Sequence, residues 1–295
     1  MQDISRRDFL RKSVAGSVAL GVMGSSLPSL AQNADFVDAV VIGSGFGGAV
    51  AALRLAQTGI HTVVLERGRR WPIRADGNTF ATFEAPDQRA SWFSPFTPIA
   101  PLELQFGIAS PGLPPPPGMA PVPPLPLFAG ILEAIIGNGI TVLTGAGVGG
   151  GSLHYNAILV RPRQEIFELI FPPEIPFAEM DSVYYPLVES IIKPEPIPED
   201  ILARDEYQST RVNLEQAERA GFTTRFVNLG VDWKVVREEI AGTKVKSAIA
   251  GQSWYGLNSG AKKSVDRNYL ALAEATSLVT VFPLHVVTDI GERGR

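Results

Sequence analysis

Gly43, Gly45 and Gly48 stand in a G-x-G-x-x-G spacing, and Glu66 follows Gly43 by 23 residues. That spacing supplies a tight turn at the first glycine, close backbone approach at the second, and close packing of a helix on a strand at the third. Together they leave unpaired backbone N–H groups at a helix N-terminus, which attract a pyrophosphate. A carboxylate at Glu66 can accept hydrogen bonds from both hydroxyls of a ribose, and it disfavours a 2′-phosphate there. The spacing does not separate NAD from FAD. A second run reads Gly145-Ala146-Gly147-Val148-Gly149-Gly150-Gly151-Ser152, with five glycines in seven positions. Glycine costs about 1 kcal/mol against alanine in regular structure. So dense a run reads as backbone held close to a large flat or charged ligand.

The flanking residues predict the elements that must hold these loops. Ala39–Ile42 is a continuous apolar run, as expected of a strand covered on both faces. Residues 49–57 have helical apolar spacing, and Gly59 stops the helix. Thr62–Leu65 is the second strand. Ile140–Leu143 and Ile158–Val160 flank the second glycine run with strand-like residues, so that run is a folded crossing rather than a tether. Further helices are expected at Phe128–Ile136, Arg163–Ile170, Phe177–Ile192, Ser209–Ala220 and Ser264–Ala275. Strands are expected at Thr224–Leu229 and Val279–Val287. The fold class is α/β, a Rossmann-like domain interleaved with a second, substrate-side domain.

Composition narrows the function. The chain has 295 residues, 45% apolar and 19% charged, with a net charge of −4. This is a globular composition, and nothing in the charge steers the chain to nucleic acid. Cysteine is absent, which excludes disulfides, thiolate metal sites and a cysteine nucleophile. The three histidines, 61, 154 and 285, are scattered and suggest no metal site. The Lys262-Lys263 pair reads as a solvated face.

Residues 1–31 read as an address rather than as part of the fold. Ser5-Arg6-Arg7-Asp8-Phe9-Leu10-Arg11-Lys12 is a twin-arginine pattern, Val14–Met23 is a mild apolar run, and Ser29-Leu30-Ala31 ends in small residues. The expectation is export by the twin-arginine machinery, already folded, to the periplasm or outside. The apolar run is too short for a comfortable membrane span of ~20 residues. Residues 92–127 form a proline-rich insertion, with twelve of the 24 prolines between Pro95 and Pro126. Proline at this density excludes sheet and helix. A lid over an apolar substrate and a surface or docking segment are equal readings of it.

With both glycine motifs in view, the chain resembles the glucose–methanol–choline (GMC) oxidoreductases, and within them most of all the cholesterol oxidases with non-covalent FAD. Gly147-Val148-Gly149-Gly150-Gly151-Ser152-Leu153 looks like the second flavin contact of that family. The order Val231-Asp232, Glu239, Gly242, Lys246-Ser247-Ala248, Tyr255-Gly256, Asn258, Lys262, Ser264, Asp266 and Tyr269-Leu270-Ala271 continues the match. Where family members often carry Asn-Gly-Gly-Met, this chain has Tyr155-Asn156-Ala157-Ile158.

The resemblance implies an FAD site. Gly43, Ser44, Gly45, Phe46, Gly47 and Gly48 would lie along the pyrophosphate, with Glu66 and Arg67 at the adenosine. Gly145, Gly149, Gly150, Gly151, Ser152, Tyr155, Asn156 and Ile158 would run along the pyrophosphate and isoalloxazine. Val287 would meet the adenine end through its backbone. The implied reaction is oxidation of a secondary alcohol, a small apolar alcohol or a sterol 3-hydroxyl, to a ketone. Hydride would pass to flavin, with O2 as acceptor, or a quinone or cytochrome in a dehydrogenase variant. The family's catalytic His and Asn are expected beyond Arg295, so no catalytic residue and no metal ligand is assigned within the chain. A third reading is an inactive flavin-binding fragment. The expected organisation is 1–31 signal, 36–175 first FAD-binding part, 176–260 substrate side and 261–295 second FAD-binding part.

Overall fold

The structure, a computed structural model, describes residues 37–92, 129–137 and 139–292. The signal segment and the proline-rich insertion beyond Trp92 lie outside the described residues.

β1 (Ala39–Ile42), α1 (Phe46–Gln57) and β2 (Thr62–Glu66) follow one another with a turn at Gly43. β1 pairs in parallel with β2, Ala39 opposite Thr62, and β2 pairs in parallel with β7 (Val279–Pro283), Thr62 opposite Val279. The sheet order is therefore β1-β2-β7. The chain leaves this sheet after Glu66 and rejoins it only at Val279, so residues 67–278 are one long excursion from its middle strand.

α1 buries Ala49, Ala52, Leu53 and Ala56, a single stripe at helical spacing. These small residues let α1 lie close on Val64 and Val281 and against α6 (Tyr269–Ala275), which contributes Leu270 and Ala273 to the same core. Asn268 begins α6, its side chain accepting from the Tyr269 N–H. The expected helix over Ser264–Ala275 is therefore shorter, because residues 264–268 turn to bring Ser264 and Asp266 beneath the second glycine run.

The excursion begins with Gly68 crossing Ala146 and Gly147. A Cβ on Gly68 would stand 2.2 Å from the Ala146 carbonyl carbon. Val148 N–H donates to the Arg69 carbonyl at 3.0 Å, which ties this crossing down. β3 (Leu132–Gly137) and β4 (Ile140–Gly145) form an antiparallel hairpin, Leu132 opposite Gly145. This overturns the helix expected at Phe128–Ile136. The β-branched Ile131, Ile135 and Ile136, followed by Asn138-Gly139, carry the sequence signature of a hairpin. That local turn chemistry outweighs the helical reading.

After a 3₁₀ turn at Gly150–Leu153 come β5 (Ile158–Leu159), α2 (Gln164–Ile170), α3 (Tyr185–Ile192) and α4 (Gln208–Arg219). A short helical turn at Phe177–Glu179 and a π-helical turn at Met180–Tyr184 lead into α3, so the expected Phe177–Ile192 helix is continuous but irregular. β6 (Asn228–Leu229) pairs with β5, and α5 (Trp233–Ile240) follows. Only two residues of the strand expected at 224–229 are paired, because β5 offers just two partners. β7 likewise ends at Pro283 rather than Val287, where Leu284 turns to φ 62°.

A second core gathers Ile201, Trp233, Val236, Ile249 and Leu257 around α5. At its edge the fully buried Glu239 accepts from the N–H groups of Ser247, Ala248 and Ile249 at 3.0, 3.1 and 2.9 Å. The Asn258 amide pairs with both backbone groups of Phe80, at 2.7 and 3.1 Å. These two side chains stand in for strand partners in a loop region, tying residues 247–249 to α5 and Asn258 to the segment at Phe80.

Candidate functional site

The two glycine motifs meet backbone to backbone. Gly150 has φ +53°, and a Cβ there would stand 2.6 Å from Gly45 Cα. A Cβ on Gly48 would stand 1.9 Å from the Gly43 carbonyl oxygen. A larger residue at Gly150 would displace the first motif, and one at Gly48 would displace the Gly43 turn within its own motif. Between the motifs opens a cavity of about 530 Å³. Gly43, Gly45, Gly150, Gly151 and His154 border one part of it. Glu66, Arg67, Gly145, His285 and Val287 also line it.

The first turn of α1 faces this space with its donors free. Gly45 is the N-cap and offers no side-chain cap, and the first turn carries no acidic residue. The N–H groups and the helix dipole are therefore available to an anion.

Ser44 sits behind the cavity as a brace. It is fully buried, and its hydroxyl donates to Glu66 Oε2 at 2.6 Å while accepting from the Gly149 N–H at 3.1 Å. Glu66 also accepts from the Ser44 N–H at 2.9 Å and the Gly68 N–H at 2.8 Å. A carboxylate has about four acceptor positions, so Glu66 retains capacity for about one ribose hydroxyl rather than the two expected from sequence. Ser152 is a second brace, donating to the Gly149 carbonyl at 2.7 Å and accepting from the Val265 N–H at 2.9 Å.

Of the other predicted residues, Phe46 packs edge-on against Tyr155, ring centroids 5.5 Å apart, linking the start of α1 to the end of the glycine run. Burial pushes the Tyr155 phenol up to about 12. Asn156 accepts from the Ser253 hydroxyl at 2.9 Å, and Ile158 is exposed in β5. Gly47 and Gly48 lie in the first turn of α1.

Lys262 overturns the solvated-face reading. It is buried, and its ammonium donates to the carbonyls of Leu153, Tyr155 and Ser253 at 2.9, 2.6 and 2.7 Å. It thereby holds both sides of His154 and the far end of the glycine run on the 253–262 loop. Burial pushes the Lys262 ammonium down to about 7. His154 falls to about 4, first through burial and then through the nearby Lys262 charge. The signal that could have found Lys262 is its setting, directly after the uncharged stretch Gly256–Ala261. His285 falls just past the end of β7 rather than in the strand, and its backbone N–H donates to the Glu66 carbonyl at 2.8 Å.

A parallel sheet, a glycine turn into an uncapped helix and an acid ending the second strand define a Rossmann-like, dinucleotide-binding α/β protein. Residues 41–100 match the family of NAD(P)-binding Rossmann-like domains. The chain is 34% identical over 130 residues to a cholesterol oxidase of Mycobacterium tuberculosis, covering 44% of this chain and 17% of that protein. It is 46% identical over 52 residues to an uncharacterized GMC-type oxidoreductase of the same species, covering 18% of this chain and 8% of the relative. A pseudooxynicotine dehydrogenase of a Pseudomonas species is 42% identical over 93 residues, 27% of this chain and 18% of the relative. The chain thus spans less than a fifth of the length of the curated relatives it matches. These partial likenesses are to a GMC-type oxidoreductase, a cholesterol oxidase and a dehydrogenase, all oxidoreductases.

Among the described residues no group of His, Cys, Asp and Glu could hold a metal ion, and no helix is long and apolar enough to cross a membrane.

Proposed function

We propose that the chain binds FAD and serves a flavin-dependent oxidation of a CH–OH group, a secondary alcohol of the sterol 3-hydroxyl kind, to a ketone. FAD, when bound, supplies the hydride acceptor. The observation that carries the reading is the Gly45–Gly150 contact. It sets the second glycine run against the free N-terminus of α1 and opens the cavity beside both. A single G-x-G-x-x-G suffices for NAD; a second glycine run on the same cavity suits the longer, flatter FAD.

In this reading the α1 N–H groups hold the pyrophosphate, Glu66 holds one ribose hydroxyl and the Val287 backbone meets the adenine. Tyr155, Asn156 and Ile158 lie toward the isoalloxazine, on a loop that Lys262 keeps in place. No described residue is assigned as the base that takes the hydroxyl proton. Residues 36–175 and 261–295 form the cofactor side and 176–260 the substrate side. O2 is the proposed electron acceptor. The Tyr155–Ile158 departure beside the flavin favours, as a second reading, a dehydrogenase that passes electrons to a quinone or cytochrome.

The test is anaerobic incubation of the FAD-loaded protein with cholesterol and with a short primary alcohol. Bleaching of the flavin band at ~450 nm by the sterol alone supports the proposal. No bleaching by any alcohol overturns alcohol oxidation by these 295 residues and leaves the inactive flavin-binding fragment as the reading; where bleaching occurs, admission of air separates O2 from other acceptors.

A further inference from the structure

Trp71 and Asp266 each bury a polar atom that bonds to nothing among the described residues. The Trp71 indole Nε1 and Asp266 Oδ1 are both shielded from solvent, and they do not hydrogen-bond to one another. Buried polar atoms in folded chains are nearly always paired, with protein or with ordered water. Both side chains line one small cavity of about 10 Å³, and Ser264 lines it too. That is room for about one water. Lys262 also lines it, but its ammonium is already engaged by the carbonyls of Leu153, Tyr155 and Ser253.

The two atoms select the occupant. An indole N–H only donates, so it has nothing to offer a cation. An ionised carboxylate oxygen only accepts, so it repels an anion. An apolar molecule would satisfy neither atom. A water accepts from the first and donates to the second.

The second glycine run leaves space for these atoms. Gly145, Gly150 and Gly151 border the large cavity between the motifs, whereas Gly147 and Gly149 do not. A Cβ on Gly147 would stand 2.8 Å from Trp71 Nε1, and one on Gly149 would stand 3.2 Å from Asp266 Oδ1.

We infer that a single internal water bridges Trp71 Nε1 and Asp266 Oδ1 beneath the second glycine run. It accepts from the indole and donates to the carboxylate, tying Trp71 to the 264–268 turn. Gly147 and Gly149 are bare to make way for this bridge, and the other three glycines of the run serve the large cavity. The bridge stands whatever fills that cavity.

A crystal structure of the 295-residue protein and NMR of the isotope-labelled protein test this together. The crystal should show one water at about 2.7–3.2 Å from both atoms. In solution the Trp71 indole N–H, identified by its loss in Trp71→Phe, should give a cross-peak to a long-lived water. Asp266→Leu, which removes the acceptor, should abolish that cross-peak. A direct Trp71–Asp266 hydrogen bond, an ion or no density in the cavity, or a wild-type indole N–H without the cross-peak would overturn the inference. So would a cross-peak that survives in Asp266→Leu. If Asp266→Leu loses its native circular dichroism, the wild-type crystal and cross-peak decide.

Discussion

Lys262 and His154 are the residues whose charges the fold most perturbs, and both leave a mark on stability. His154 has a folded value near 4 against 6.5 when exposed. Between those values the unfolded chain holds more protons, so stability present above pH 6.5 is lost as pH falls toward 4. His154→Gln should flatten that acid limb in urea unfolding curves taken from pH 4 to 7. Lys262 has a folded value near 7 against 10.5. The same sign holds: the unfolded chain binds the extra proton, so stability rises as pH climbs from 7 toward 10.5. Three carbonyls surround the ammonium, but they bring no countercharge, and desolvation wins. Lys262→Met should abolish the alkaline rise and also loosen the 153–155 carbonyls. The second effect reads out as faster amide exchange at Leu153–Asn156 with the 39–66 unit unchanged. Equal loosening everywhere would reduce Lys262 to a general core residue.

At the scale of elements, the packing around the two glycine motifs is sensitive to a single methyl group. Gly48→Ala places a Cβ where the Gly43 carbonyl oxygen is, forcing α1 off the sheet at a cost of roughly 1–3 kcal/mol or more. Gly150→Ala adds a left-handed residue, about 1–2 kcal/mol, to its clash with Gly45. Thermal unfolding should show both losses, and Gly150→Ala should weaken FAD binding more than its stability loss explains. Asp232 caps α5, accepting from the Lys234 and Val235 N–H groups at 3.0 and 3.4 Å. Asp232→Ala should cost about 1 kcal/mol with the cofactor side untouched.

These same elements mark what the sequence made legible. β1, α1 and β2 were readable because glycine spacing, strand and helix periodicity and the terminal acid all agree. The β3–β4 hairpin is hidden in the sequence because its apolar run suits either element. The burial of Lys262 is hidden because it depends on carbonyls supplied from residues 153, 155 and 253, which no local pattern brings together. The bracing hydrogen bonds of Ser44 and Ser152 likewise depend on contacts over a hundred residues apart.

For the whole molecule, the parallel sheet is the organising unit, since β7 pairs with β2 across the 212 residues of chain from 67 to 278. Such a long-range closure is slow to form, which suits a protein folded around its cofactor before export. We propose twin-arginine export on the strength of Ser5–Lys12. Arg6→Lys with Arg7→Lys should retain the protein in the cytoplasm in fractionation experiments, whereas unchanged secretion would refute that route. The central claim is narrower: the joined glycine motifs hold FAD and not a 2′-phosphorylated dinucleotide. Equilibrium dialysis of the purified 295-residue protein against FAD and NADP tests it most directly. The account predicts one FAD retained per chain, with NADP not displacing it. Retention of NADP in preference to FAD, or of neither, would contradict it.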